Sequence, residues 1–286
     1  MSLKLMYITN QLEIALIAEK YGVDRIWVDL ETDGKEERQK ERDSVKSNHT
    51  VNDIKNIAPL LTTSEMLVRI NPWSNKSARE IDEVIEAGAD IIMLPMWNTV
   101  EEVKNFIYAV NGRCKTILLL ETKEADKCLD EVLDLRSKNS CFFDEVHIGL
   151  NDLHISYGLT FMFELLTNGT IERLCKKLSI SKIPYGFGGI AKIGSGAVPA
   201  EKIITEHYRL GSTRAILSRS FCNGVDLRDI DKVDVAFGHN MKELRKYERS
   251  IEKFDRSMFE ENKRILEENV RDVVQKLNMN RSEVIH

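Results

Sequence analysis

Within residues 1–222, a short apolar or β-branched run gives way to a longer stretch of helical periodicity again and again. That alternation limits the available folds, because consecutive parallel strands need a long crossover between them, usually a helix, and both faces of such a sheet must be covered. The predicted strands cover residues 3–8, 25–30, 66–70, 91–95, 116–120, 145–149, 184–187 and 215–218. Predicted helices cover 11–21, 77–86, 100–110, 125–135, 161–178 and 200–210, with another opened by Thr50 or Asn52 and a break offered by Gly169. Gly22, Gly88, Gly112 and Gly211 stand where helix C-termini turn. Eight β-α repeats exceed what an open doubly wound sheet usually holds and predict a closed (β/α)8 TIM barrel.

Residues 223–286 have a different texture. They contain no proline and are dense in charge, with Leu244, Ile251, Met258 and Ile265 seven apart and Tyr247 and Phe254 between them. The pattern then drifts to Leu266, Val270, Val273 and Leu277. This predicts a barrel domain over 1–222 and a long helical arm over 223–286. The apolar stripe of such an arm must dock on a second subunit, giving a homo-oligomer, or on its own barrel in cis.

A hydrophobic fraction of 42% supports a sizeable core. With a net charge of −5 and scattered lysines and arginines there is no basic stripe for nucleic acid. No apolar run approaches the roughly 20 residues that cross a bilayer, so no membrane association is expected. Residues 1–14 have no signal-peptide layout. Cys114, Cys128, Cys141, Cys175 and Cys222 are odd in number and without a C-x-x-C pair, which suits reduced thiols in the cytoplasm. The charged stretch 33–43 reads as a solvated loop.

Two acids stand where a barrel places its chemistry. Glu121 closes the fifth predicted strand, and Asp152 follows the sixth after a short turn. Two hard oxygen ligands with no neighbouring Cys suit Mg²⁺ or Mn²⁺. Arg69 ends the third strand, where its planar fork would grip a carboxylate or phosphate, or pair with a barrel-end acid such as Glu121. Residues 185–191, Tyr-Gly-Phe-Gly-Gly-Ile-Ala, form a glycine-rich segment after the seventh strand. Gly188 and Gly189 there either cradle an anion with backbone N–H groups or allow a close backbone approach. Arg219 adds a cation after the eighth strand. Trp73 and Trp97 follow strands three and four and would wall a pocket; Trp27 lies within strand two and reads as packing.

Four blocks in this order resemble the HpcH/HpaI aldolase and citrate lyase family: residues 68–71 (Val-Arg-Ile-Asn), 86–96 (Glu-Ala-Gly-Ala-Asp-Ile-Ile-Met-Leu-Pro-Met), 120–122 (Leu-Glu-Thr) and 148–153 (Ile-Gly-Leu-Asn-Asp-Leu). The resemblance covers about residues 20–222. It implies a (β/α)8 barrel with a divalent metal and a pyruvate or enolpyruvate unit, Glu121 and Asp152 as metal ligands, and Arg69 binding the 2-oxo acid. It also implies that backbone N–H groups near Asn151 and Asp152 receive the substrate carboxylate. Family aldolases carry Asp-x-Glu-His after strand two. Here Asp29 and Glu31 are retained and Thr32 stands at the His position. The base is then a water held by Asp29 and Glu31, or His49, or His154, which follows Asp152 by two residues and is favoured on that ground. The expected activity is a metal-dependent carbon–carbon lyase or aldolase acting on a 2-oxo acid through an enolate, with an aldehyde or thioester partner. The alternatives are a citryl- or malyl-thioester lyase, although no coenzyme A motif stands out, and a catalytically inactive barrel serving as a binding or assembly subunit.

Overall fold

The computed structural model describes residues 2–32, 48–137, 142–222 and 226–284, and only the backbone at 137, 219–220 and 281–284. Eight parallel strands follow one another in chain order around a closed barrel. They are β1 (Lys4–Ile8), β2 (Arg25–Asp29), β3 (Glu65–Arg69), β4 (Ile91–Leu94), β5 (Lys115–Leu120), β6 (Glu145–Ile148), β7 (Tyr185–Ile190) and β8 (Arg214–Leu217). The helices are α1 (Leu12–Lys20), α2 (Val51–Ile57), α3 (Ser77–Glu86), α4 (Val100–Val110), α5 (Lys123–Ser137), α6 (Leu150–Ser156), α7 (Glu164–Thr167), α8 (Thr170–Ile180), α9 (Ala200–Arg209), α10 (Ile230–Ile251) and α11 (Arg256–Val284). The chain divides into two compact units, Lys4–His147 and Met1–Leu3 with Ile148–His286.

In the unit Lys4–His147, alternate strand starts share one device. Asp24, Asp90 and Asp144 each stand just before a strand and accept the amide of Leu5, Met66 and Thr116 at 2.8 Å. Each also donates its own N–H to that residue's carbonyl, at 3.0–3.2 Å. A carboxylate thereby extends the hydrogen-bond ladder one rung past its backbone end and sets the strand register. β2 and β3 pair from Arg25↔Glu65 to Asp29↔Arg69. At the first rung the Arg25 guanidinium takes both oxygens of Glu145 at 2.7 Å and Glu65 at 3.2 Å. Because β2 and β6 are not neighbours, this pairing marks the Arg25, Trp27, Asp29 face of β2 as the one lining the barrel bore.

In the other unit the glycines of β7 serve close packing. A Cβ on Gly186 would lie 2.3 Å from the Arg214 carbonyl oxygen, and one on Gly188 (φ +51°) would lie 2.6 Å from Leu150 Cδ1. β7 therefore runs through Gly188 and Gly189 to Ile190, past the predicted end at 187. The single helix expected over 161–178 is two, α7 and α8, parted at Gly169, whose φ of +84° suits glycine. α6 is a further short helix where the sequence predicts a turn, and it carries Asn151, Asp152 and His154.

The long arm is also two helices. The chain turns at Glu252–Asp255, and Asp255 Oδ1 accepts the Met258 amide at 3.0 Å and the Ser257 hydroxyl at 2.6 Å, closing one helix and opening the next. The heptad seam is divided accordingly. Leu244 and Ile251 are buried with Val233, Phe237 and Met241 on α10, and Leu266 and Val270 are buried on α11, but Met258, Leu277 and Met279 are exposed. Both helices join α9. Tyr208 donates to Glu248 at 2.9 Å, the Thr205 and Tyr247 hydroxyls meet at 2.9 Å, and Asn262 donates to Glu206 at 3.1 Å. Glu248 also accepts the Leu3 amide at 2.8 Å.

Candidate active site

The unit Lys4–His147 gathers four predicted site residues at the C-terminal ends of its strands. Asp29 and Arg69 are register partners on β2 and β3, so their side chains leave the sheet side by side. Arg69 Nε and Nη2 hold the two Asp29 oxygens at 2.9 Å each, and Nη1 lies 3.0 Å from Glu31 Oε2. Burial by itself would lower the Arg69 pKa; Asp29, Glu31 and Glu121 outweigh it and raise it, so the guanidinium stays charged. Asp29, Glu31 and Glu121 are each 2% exposed. Glu121 accepts the Met96 amide at 3.1 Å, and Met96 adopts φ +50°, uncommon for a residue with a side chain. Arg69 thus pairs with Asp29 at the end of β2 and Glu31 just beyond it, while Glu121 acts on it through its charge.

Asp29, Glu31 and Glu121 are hard oxygen donors of the kind that suit a divalent cation. Among the described residues no group of three or more His, Cys, Asp or Glu forms a metal cage. An ion here would therefore use one or two carboxylates and complete its shell with water and substrate oxygens, as Mg²⁺ commonly does.

Two contacts at this rim join residues on either side of the segment 33–47, which lies outside the described residues. His49 Nδ1 accepts the Asp29 amide at 2.9 Å, one step beyond the bond from Thr9 N–H to the Trp27 carbonyl at 3.1 Å. Thr32, at the expected His position, donates its N–H and hydroxyl to Asn71 Oδ1 at 2.9 and 3.3 Å. Asn71 in turn donates its N–H and Nδ2 to Glu80 at 3.1 and 2.8 Å. An Nδ1 that accepts from an amide carries no proton, so the neutral His49 ring bears its proton on Nε2. The sequence held no signal for the roles of Asn71, Glu80 or Met96, which come from loop geometry.

In the unit containing Ile148–His286, Asn151 is exposed and Asp152 half-buried on the first turn of α6. His154 is 2% exposed, and its Nδ1 lies 3.1 Å from the Leu150 carbonyl of the same helix, to which it donates. His49 is in direct contact with the Asp29 backbone. Gly188 and Gly189 lie within β7 rather than in a loop. Arg219 opens a 3-10 turn, Arg219–Cys222, and its side chain lies outside the described residues, as does Cys141. Cys114, Cys128, Cys175 and Cys222 are free thiols, and burial pushes that of Cys114 up to about 11. Trp97 is buried and Trp73 half-buried. No helix among the described residues is long and apolar enough to cross a membrane.

The family model described as HpcH/HpaI aldolase/citrate lyase matches residues 5–162, more than half of the chain. The matched span includes Asp29, Glu31, Arg69, Glu121 and Asp152 and ends before Gly188, Gly189 and Arg219. The crystal structure of an HpcH/HpaI aldolase from Desulfitobacterium hafniense DCB-2 superposes with a TM-score of 0.58 at 13% identity, covering 89% of this chain and 95% of that one. That likeness is one of fold. No curated protein sequence matches this chain.

Proposed function

Because this chain belongs to the HpcH/HpaI aldolase/citrate lyase family, with its lyase- or aldolase-type activity on small carboxylic acids, we propose that it is a divalent-metal-dependent carbon–carbon lyase acting on a 2-oxo acid. One observation carries the reading: a half-buried Arg69 that meets Asp29 and Glu31 directly and lies within electrostatic range of Glu121, an anion-binding cation set among hard oxygen donors. Glu121 is the residue we assign to hold Mg²⁺ or Mn²⁺, the role the family resemblance implies for it. Such an ion supplies Lewis acidity toward the 2-oxo oxygen when bound.

The remaining steps fall to the chain itself. Asp29 occupies the Nε–Nη2 edge of Arg69 and Glu31 meets Nη1, so the substrate takes the N–H groups of Nη1 and Nη2 that these bonds leave. In the cleavage direction the substrate hydroxyl gives its proton to a water at Asp29 and Glu31. The carbon–carbon bond breaks, and its electron pair passes to the 2-oxo acid as an enolate, releasing the carbonyl product. The same water returns its proton to the enolate carbon, and His49 Nε2–H donates a hydrogen bond to that water, orienting it without losing its own proton. The Asp29 amide on Nδ1 leaves Nε2–H as the ring's donor.

Calorimetry with oxalate, a stable mimic of a pyruvate enolate, tests the reading on the full chain. Oxalate should bind only with Mg²⁺ or Mn²⁺ present, and Glu121→Gln should weaken cation binding by at least tenfold, about 1.4 kcal/mol. A folded protein that gives no heat with oxalate or pyruvate under any divalent cation would overturn it.

A further inference from the structure

One rung below the Asp29–Arg69 pair, the bore contains a polar group with no role in the chemistry above. Trp27 is 2% exposed, and the Arg69 guanidinium carbon lies 5.3 Å from its ring centroid. It shares the bore-facing side of β2 with Arg25 and Asp29. Its indole Nε1 is buried and has no hydrogen-bond partner among the described residues. A buried indole N–H ordinarily finds an acceptor. Trp97 Nε1 is in the same state, but Trp97 belongs to the loop after β4 and not to the bore-facing side of β2.

We propose that Trp27 Nε1–H is a substrate-binding donor that takes an oxygen of the acid held by Arg69. This rests on the reading of Arg69 as the oxo-acid anchor and deepens it by defining a substrate class. An indole nitrogen donates and never accepts. Beside a guanidinium it selects acids bearing an acceptor oxygen next to the carboxylate. It selects against 2-ammonio acids, which would set donor against donor and cation beside cation. Trp27, which reads as packing in the sequence, thereby becomes a specificity residue.

The test uses the full chain with ¹⁵N-labelled tryptophan. The sequence has three tryptophans, so three indole N–H signals are expected, and Trp73→Phe and Trp97→Phe assign that of Trp27 by elimination. With Mg²⁺ present, oxalate should move the Trp27 proton signal downfield more than the other two, and alanine at equal concentration should not. Trp27→Phe keeps a ring under Arg69 and should raise the oxalate Kd about tenfold, the worth of one hydrogen bond to a charged acceptor. If calorimetry shows oxalate bound while the Trp27 signal stays still, the N–H is capped by water and the inference fails, while the oxo-acid reading stands. A wild-type chain that binds no oxalate overturns both.

Discussion

Arg69 shows how a single residue fixes the character of the site. Its charge is retained because Asp29 and Glu31 meet it directly and Glu121 lies within electrostatic range. At a strand end these acids were readable from residue type and position alone. His49 was harder to place, since residues 32–48 separate it from Glu31 along the chain and nothing local shows that its ring returns to the Asp29 amide. The contact leads to a graded expectation. Glutamine at this position can accept the Asp29 amide through its carboxamide oxygen and donate through its nitrogen. His49→Gln should therefore bind oxalate as wild type does and slow deuterium exchange at the pyruvate methyl group by about tenfold; His49→Ala should slow it by about a hundredfold. Nuclear magnetic resonance of pyruvate in D₂O measures both rates. Unchanged exchange in His49→Ala would remove the residue from proton transfer.

At the scale of elements, the joints between strands and helices depend on carboxylates that accept backbone amides. Beside the strand-start aspartates, Glu19 near the end of α1 accepts the amides of Thr62, Thr63 and Ser64 at 2.7–2.8 Å, fixing the entry to β3. Burial alone would raise the Glu19 pKa; these amides outweigh it and lower it from the ordinary 4.5. A carboxylate with a depressed folded pKa contributes its stability above the unfolded value and loses it as pH falls through the folded one. Glu19→Gln should cost about 1 kcal/mol at pH 7, and the gap to wild type should close as the pH falls below the ordinary 4.5 and through the lowered folded value. Urea midpoints at the two pH values measure this, and a gap independent of pH would assign the loss to packing. Helical periodicity located most elements well. It failed at α6, which is too short to show a period, and at β7, whose glycines resemble a loop until β8 and Leu150 are seen to need the space.

Across the whole molecule, the C-terminal helices have two parts with different consequences. α10 and the first half of α11 bury Met241, Leu244, Ile251, Leu266 and Val270 within their own unit, and the buried Glu206 and Glu248 join α9 to them. Beyond Val270 the described side chains of α11 are exposed or half-buried. Deleting residues 271–286 should therefore shift Tm by no more than about 2 °C. Deleting 256–286 uncovers apolar surface and leaves Glu206 without Asn262, and should lower Tm by about 5–10 °C or more. Thermal melts of the two truncated chains separate the cases, and light scattering on the first asks whether the exposed Leu277 and Met279 hold a second copy. Equal melting of both would show that α11 contributes nothing to its own unit.

By itself the sequence determined the (β/α)8 architecture and the acids and arginine at its strand ends. Both follow from local properties, since periodicity sets the element type and the position after a strand sets the end of the barrel. Tertiary structure alone decided that Arg69 turns to Asp29 and Glu31, that His49 meets the Asp29 amide, that the arm folds into two helices on its own unit, and that the Trp27 N–H has no acceptor among the described residues. Each of these depends on which atoms, remote along the chain, come within about 3 Å of one another, and no pattern confined to neighbouring residues encodes that distance.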